Sequence, residues 1–261
     1  MKIREKFFDT EFDFFLNKFV TGENFNLLRF SDGELFMLQG KKISLGNFLV
    51  KINGKFSGIK KFPTYDHKTF NPKKDKIFLE KLSESFNYKS QEYYVGINCR
   101  CCVGEENYKW QFREHLKTDH NNLTWANVLI NSNYPRFLNE FYPEIVKRGA
   151  ILVCNVNAKL DNLNWVTKDF RIGNNAFSNL TLIDKIKEYI ISNNIKNQIF
   201  LFSASAFSNV AQYELGKLFP ENTYIDIGTS LSHVIGIPAE REYILDYFSG
   251  NIKNLKKCTW N

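Results

Sequence analysis

The sequence predicts an α/β protein in which a mostly parallel, Rossmann-like sheet is covered by helices on both faces. Short apolar runs alternate with segments whose apolar residues recur at helical spacing. Several of these runs are almost continuously apolar, as in strands of a parallel sheet that are buried on both faces. With 261 residues, 43% of them hydrophobic, the chain can build a sizeable core.

The N-terminal half is predicted to begin with an amphipathic helix. Its aromatic segment MKIREKFFDTEFDFFLNKF is interrupted by Asp9, Glu11 and Asp13, unlike the unbroken apolar region of a signal peptide. Asn26–Ser31 reads as a strand that leads into a short helix from Glu34. The elements expected next are a helix over Asp75–Phe86, a strand over Glu92–Cys99 and a helix over 135–149 that ends at Gly149.

The C-terminal half carries the stronger strand signals. The strands expected there are Ala150–Asn155, Gln198–Ala206 and Thr223–Ser230, with helices over 180–194 and 209–219 between them. Residues 43–74 are rich in Gly, Lys and Pro, so we expect a basic, loop-rich excursion with small strands. We expect a single domain over 1–261.

The net charge and the cysteine content indicate where in the cell the protein is expected. The net charge is +7, and much of the excess lies between Lys41 and Lys81. A solvated lysine-rich face and a surface for phosphates, nucleic acid or anionic membrane remain open interpretations. No run approaches the length of a membrane span, and five cysteines suit a reducing compartment. We therefore expect a cytoplasmic protein, at the cytoplasmic face of a membrane if the basic surface makes peripheral contact with lipid.

Polar residues follow several of the predicted strands. Parallel sheets bind ligands at the carboxyl ends of their strands, so these residues are candidate ligand contacts. They are Ser31 to Glu34, Asn98, Asn155, Ser203, Ser205, Asp226 and Gly228.

The segment Ser31-Asp32-Gly33-Glu34 places two carboxylates around one glycine. Oxygen ligands of this kind suit Mg²⁺ or Mn²⁺, with substrate phosphate and water completing the shell. Gly33 would let a phosphate approach closely or permit a positive φ, and Arg29 could bind phosphate or hold a carboxylate. In the alternative interpretation Asp32 is a helix N-cap and Glu34 lies in the first turn.

Two later segments also carry polar groups at strand ends. In FSASAFSN, Ser203 and Ser205 either bind an anion at a helix N-terminus or cap that helix. Asp226 is a candidate general base with His233 as second choice, and either could be structural.

The segment TWANVLINSNYPRFL supplies an indole and two amides, Trp125, Asn127 and Asn131. Such groups recognise sugars, and they also fill cores. Cys99, Cys102, His115 and His120 formally fit the spacing of a Cys₂His₂ zinc finger. Because Cys99 ends a predicted sheet strand and Cys101 has no place in a finger, we expect reduced, buried or half-buried thiols instead.

The hexapeptide RFSDGE (Arg29–Glu34) closely resembles the Arg-Phe-Gly-Asp-Gly-Glu signature of GT-D type glycosyltransferases, with Ser31 where that family often has Gly. The resemblance extends to the Rossmann-like alternation and to the late segment IFLFSASAFSNVAQYELGKLF…YIDIG, and so covers roughly 26–230. It implies that Asp32 and Glu34 are the metal-site acids of an Asp-x-Glu motif, which binds Mn²⁺ or Mg²⁺ and through it a nucleotide-sugar diphosphate.

The function expected from this resemblance is metal-dependent transfer of a hexosyl group to a glycan or glycoconjugate acceptor. The donor would be a nucleotide sugar, a UDP-sugar first, held by Arg29, Ser31, Gly33, Asn155, Ser203 and Ser205. One rival is a methyltransferase in which Asp226 grips a ribose, although no Gly-rich loop follows the first strand. The other is a basic nucleic-acid-binding module, although no recognition motif is present, so we expect no nucleic-acid partner.

Overall fold

The computed structural model describes residues 7–46, 50–53, 55–58, 67–115, 122–239 and 241–259. The strands in this part of the chain are β1 (Asn26–Arg29), β2 (Ile43–Leu45), β3 (Val50–Ile52), β4 (Lys55–Gly58), β5 (Lys68–Phe70), β6 (Tyr93–Ile97), β7 (Leu123–Trp125), β8 (Ala150–Asn155), β9 (Val166–Ile172), β10 (Ile199–Ser203) and β11 (Thr223–Asp226).

The helices are α1 (Phe8–Thr21), α2 (Asp32–Leu38), α3 (Lys76–Asn87), α4 (Arg100–His115), α5 (Tyr134–Arg136), α6 (Tyr142–Arg148), α7 (Thr181–Ser192), α8 (Phe207–Leu218) and α9 (Glu242–Phe248). A π-helical segment, Phe137–Phe141, joins α5 to α6. Short 3₁₀ turns lie at Asn131–Asn133, Ala176–Ser178 and Ile252–Asn254. None of the described helices combines the length and apolar character needed to cross a membrane.

The central sheet has seven strands in the order β7-β6-β1-β11-β10-β8-β9, and every neighbouring pair is parallel. From β1 the chain moves outward through β6 to β7, and it later returns through β10 to β11 on the other side of β1. The first and last strands of this part of the chain, β1 and β11, are therefore neighbours in the middle of the sheet. Parallel α/β sheets bind ligands outside the carboxyl ends of their strands. The predicted fold class, an α/β protein with a parallel sheet, is confirmed.

Helices cover both faces of this sheet. The hydroxyl of Tyr93 on β6 donates to the carbonyl of Ser85 on α3 at 2.8 Å. The ring of the next residue, Tyr94, packs against Phe15 of α1 with centroids 5.2 Å apart. Because successive side chains of a strand point to opposite faces, α3 and α1 lie on opposite sides of the sheet.

A second sheet is formed by part of the predicted excursion. It has four short antiparallel strands in the order β4-β3-β2-β5. Phe70 on β5 is fully buried and packs edge-on against Phe177, with centroids 5.6 Å apart, so the small sheet joins the main hydrophobic core. Residues 59–66, which include Lys60 and Lys61 of the basic stretch between Lys41 and Lys81, lie outside the described residues.

The sequence prediction omitted the edge strand β9. Its sequence VTKDFRI carries three charges, and most of its side chains are exposed or half-buried. An edge strand with this composition lacks the apolar run that identifies the central strands. The prediction also left out β7, α4 and α9. At element ends, β10 stops at Ser203 and β11 at Asp226, before their predicted ends, and α2 begins at Asp32, two residues before its predicted start.

Candidate active site

The turn between β1 and α2 presents the two acids of the Asp-x-Glu motif. Ser31 is the N-cap of α2, and its backbone N–H donates to Oε2 of Glu34 at 3.0 Å, in a capping box. Oδ1 of Asp32 accepts from the N–H of Gly33 at 3.0 Å. The interpretation of Asp32 as the N-cap is therefore wrong, because Ser31 occupies that position and Asp32 is the first residue of the helix.

Glu34 is an ionisable side chain in a buried position, with 7% of its surface exposed. Burial raises the pKa of its carboxyl, and the negative charge of Asp32 raises it further, whereas the positive charge of Lys68 opposes both effects. Asp32 is exposed. The motif therefore joins one solvated and one desolvated carboxylate, close enough to influence each other.

Asp226, at the end of β11, adds a third carboxylate beside the end of β1. Its side chain is 6% exposed, and Oδ1 accepts from the N–H of Gly228 at 2.8 Å. Burial raises the pKa of Asp226 to about 7, although the Arg29 guanidinium and the Gly228 N–H favour the ionised form. The charge of Glu34 also raises this pKa, so the acids of the two neighbouring strands form one electrostatic cluster.

Arg29 is fixed within this cluster. Its Nε donates to the carbonyl of Ala126, and its own carbonyl accepts from Nδ2 of Asn209 at 3.1 Å. Gly228 has a φ of 51°, in the left-handed region, and a Cβ at this position would overlap Nη1 of Arg29. Arg29 is thus a buried cation that compensates the negative charge of the acids. Because Gly228 has no side chain, it leaves room for the Arg29 guanidinium.

Lys68 is a site residue that the sequence reasoning did not identify. It lies on β5 of the small sheet, and its Nζ donates to Oγ of Ser205 at 2.9 Å. Ser205 itself has a φ of 54°, which is uncommon for a residue other than glycine. Lys68 brings a positive charge to the polar segment after β10, but in the sequence it is one of many lysines between Lys41 and Lys81.

Two further predicted residues are Ser203, the last residue of β10, and Gly33, in the first turn of α2. Oγ of Ser203 donates to the carbonyl of Gly228 at 2.7 Å and so links β10 to the loop after β11. Gly33 is helical and has no positive φ, so that suggestion is wrong. No atom lies within 4 Å of the position that a Cβ of Gly33 would occupy, which leaves space for a ligand to approach.

Two predicted residues contact groups other than the acids. Asn155 ends β8, separated from β1 by β10 and β11, and its Oδ1 accepts from the N–H of Asn157 at 2.9 Å. Nδ1 of His233 lies 3.1 Å from the hydroxyl of Tyr134, and its ring packs edge-on against Phe248. His233 is therefore the less favourable candidate for the general base.

The two predicted sugar contacts lie on the β7 side of the sheet. The ring of Trp125 is 1% exposed and packs edge-on against Phe8 of α1, with centroids 5.4 Å apart. Asn127 points its Nδ2 at the sulfur atoms of Cys102 and Cys258, at 3.2 and 3.4 Å. The position of Trp125 does not support sugar stacking, because a core indole presents no open face, and the Asn127 amide contacts thiols.

No family model matches the chain, and no curated protein sequence matches it. Two solved structures are similar to it, each at 15% identity and a TM-score of 0.49, over 87% of this chain and 81% of the other. One is a selenomethionine-substituted structure of domain of unknown function 1792. The other is described as the highly conserved domain of unknown function 1792, with a distinct glycosyltransferase fold. At this identity, the function of the chain is to be inferred from its own residues.

Proposed function

We propose that the chain is a glycosyltransferase of the hexosyltransferase class, which moves a sugar from a nucleotide-sugar donor to a hydroxyl of a glycan or glycoconjugate. The observation that carries this proposal is the convergence of Asp32, Glu34 and Asp226 with Arg29 and Lys68 at the carboxyl ends of two neighbouring central strands of a parallel sheet. Acids that could hold a cation, next to fixed cations that could bind phosphate, suit a diphosphate with a leaving nucleoside.

The donor diphosphate would be bound by the positive side of this cluster. The Lys68 ammonium and the Ser205 hydroxyl already contact each other at 2.9 Å, so both are placed to hold one phosphate. Ser203 supports the loop after β11, and the open space over Gly33 admits the ligand next to the acids. We expect a UDP-sugar before other nucleotide sugars.

Asp32 and Glu34 fit a resident Mn²⁺ or Mg²⁺. Glu34 is buried with two other carboxylates in its electrostatic neighbourhood, and a cation there would relieve both desolvation and like-charge repulsion. Mg²⁺ is usually held by one or two carboxylates, with water and phosphate completing its shell. When bound, the ion would neutralise charge on the departing nucleoside diphosphate.

Asp226 would act as the general base if the reaction inverts the anomeric centre. A base is most effective when its pKa lies near the operating pH, and burial places the pKa of Asp226 at about 7. Its carboxylate would take the proton of the acceptor hydroxyl, while Arg29 and the Gly228 N–H hold it in place.

The test is transfer of sugar from UDP-, GDP- and TDP-sugars by the full chain, with and without Mn²⁺, in Asp32→Ala and Glu34→Ala. Each variant should lose about 10²–10³-fold in turnover, the size expected for one electrostatic contact to the leaving group. Asp161→Ala, at an exposed acid outside the site, is the matched control and should keep its activity. Undiminished turnover that resists EDTA in both acid variants would overturn the metal assignment.

The two rival functions can be examined with the same protein. Ligands that bind the folded state raise its melting temperature, so thermal shifts can compare nucleotide sugars, S-adenosylmethionine and oligonucleotides. The glycosyltransferase proposal expects a shift with a nucleotide sugar and Mn²⁺. A shift with S-adenosylmethionine or an oligonucleotide alone would contradict it.

A further inference from the structure

Four of the five cysteines lie together beyond the carboxyl end of β6. The sulfur atoms of Cys99, Cys101, Cys102 and Cys258 are all within 4.8 Å of one another, and all four are free thiols. Among the described residues, a group of three or more His, Cys, Asp or Glu side chains close enough to share a metal ion is formed by these four cysteines. The fifth cysteine, Cys154, is buried on β8, outside this group.

This cluster differs from the zinc-finger pattern in the sequence. His115 is buried and packs edge-on against Phe86, with centroids 5.1 Å apart, and His120 lies outside the described residues. Cys99 and Cys102 belong to both sets. The two further sulfur atoms come from Cys101 and from Cys258 in the C-terminal segment. The prediction of buried or half-buried thiols holds for Cys99 and is wrong for Cys101 and Cys102, which are exposed. The spacing did not reveal that these cysteines meet Cys258.

The polar groups around the cluster suit sulfur atoms that carry negative charge. Nδ2 of Asn127 lies 3.2 Å from Sγ of Cys102 and 3.4 Å from Sγ of Cys258. Nδ2 of Asn131 lies 3.2 Å from Sγ of Cys258. Donors of this kind commonly orient the ligands of a metal and stabilise their charge.

We propose that Cys99, Cys101, Cys102 and Cys258 bind one Zn²⁺ in a closed tetrahedral site. Tetrahedral zinc with Zn–S bonds of about 2.3 Å holds its sulfur ligands about 3.8 Å apart, which four sulfur atoms within 4.8 Å of one another can adopt with small shifts. Four protein ligands leave no open position, which is the mark of a structural zinc site. An iron–sulfur cluster needs space for several iron and sulfide ions between its thiolates, and this group is more compact.

Such an ion would fasten the C-terminal segment to the start of α4. In the described structure this segment is held by the buried side chain of Leu255 and by the carbonyl of Lys256, which accepts from the N–H of Ser132 at 3.0 Å. The Nζ of Lys256 also donates to the carbonyl of Cys101 at 2.7 Å. A metal would add sulfur–metal bonds to these links and to the ion pair between Lys257 and Asp9, whose Nζ and Oδ2 lie 2.7 Å apart. The assignment rests on the sulfur geometry and is independent of the proposed transferase activity.

The test is the metal content of the full chain purified after expression with zinc in the medium. We expect one zinc ion per chain by mass spectrometry, released when a mercurial thiol reagent is added in the presence of a chromogenic chelator. Chains loaded with Co²⁺ in place of zinc should show the intense visible bands of a tetrahedral thiolate site. Cys258→Ser should lose most of the zinc, whereas the matched control Cys154→Ala should keep it.

Three results would overturn the assignment. They are a purified chain with only trace zinc, a chain that holds iron instead, and a disulfide between any two of the four cysteines. If Cys258→Ser does not fold, the zinc content and Co²⁺ spectrum of the unmodified chain decide the question. Because none of these measurements uses sugar transfer, failure of the zinc site and failure of the proposed activity are distinguishable.

Discussion

Two clusters of side chains that could bind a metal lie at the carboxyl edge of the sheet, and they differ in the type and number of their ligand atoms. At β1 and β11, oxygen donors Asp32, Glu34 and Asp226 lie among fixed cations. Beyond β6, four sulfur donors lie within 4.8 Å of one another, with amides directed at them. Few hard ligands leave positions for a substrate, whereas four soft ligands complete a shell. Ligand number and type thus suggest a catalytic role for the first cluster and a structural role for the second.

The two clusters are also physically linked. Ala126, whose carbonyl accepts from Arg29, immediately precedes Asn127, whose amide contacts the thiols. Nδ2 of Asn98, the residue before Cys99, donates to the carbonyl of Phe30 at 2.7 Å. The thiol cluster therefore borders the backbone that positions the acids, and the variants below test how far the two can be separated.

The largest effect is expected at Asp226. Asp226→Asn should lower kcat by about 10²–10⁴-fold, the range for loss of a general base. With the native residue, activity should rise with pH through about 7 as the carboxyl ionises, and the variant should lack this limb. The measurement is kcat against pH, and a variant that kept the same limb would exclude Asp226 as the base.

Stability should show the opposite pH dependence at the same residue. The pKa of Asp226 is raised from 3.8 to about 7 in the fold, so between these values the native state binds more protons than the unfolded state. The free energy of unfolding therefore falls as pH rises through this window. Melting curves of Asp226→Asn should show a smaller fall.

Cys258→Ser and Asp32→Ala should separate the two clusters. Loss of the zinc link should lower the melting temperature of Cys258→Ser by about 5–10 °C, at roughly 2–4 °C per kcal/mol for a chain of this size. Asp32→Ala should keep its zinc and its melting temperature, since Asp32 is exposed, and lose activity. Zinc content and melting temperature are measured on both variants. If Asp32→Ala lost zinc and melting temperature as Cys258→Ser does, the two clusters would form a single structural unit.

Gly228→Ala should destabilise the acid cluster more mildly. A left-handed φ costs a non-glycine residue about 1–2 kcal/mol, and the new Cβ would displace Arg29. Gly33→Ala is the matched comparison, because Gly33 is helical with open space around it, and alanine favours a helix by about 1 kcal/mol. Chemical denaturation should show a loss of stability in Gly228→Ala and none in Gly33→Ala.

The smallest effect on catalysis is expected at Lys68. Removing one charged hydrogen bond to a phosphate costs about 1.5–3 kcal/mol, so Lys68→Ala should raise KM for the donor by at least about tenfold, with a smaller change in kcat. Lys51→Ala, at an exposed lysine of the same small sheet, should leave KM unchanged. Equal effects in both variants would indicate a general contribution of basic charge.

Sequence patterns were reliable where the determinant is local. The strand Ala150–Asn155 was predicted with its observed bounds, because an apolar run between Gly149 and a polar turn marks a buried parallel strand. The acids of RFSDGE lie within six residues, so one turn displays them together. The exposed edge strand β9 was missed because solvent removes the need for an apolar run.

The sequence by itself determined the α/β class, the parallel sheet and the Asp-x-Glu turn, since these follow from periodicity and from neighbours along the chain. Only the tertiary structure decided which distant side chains meet. It brought Lys68 to Ser205, Asp226 to Arg29, and Cys258 to Cys102, and it buried Trp125 against Phe8. The physical reason is that such contacts depend on strand order and helix packing, which are set by the burial of the whole core and leave no local pattern.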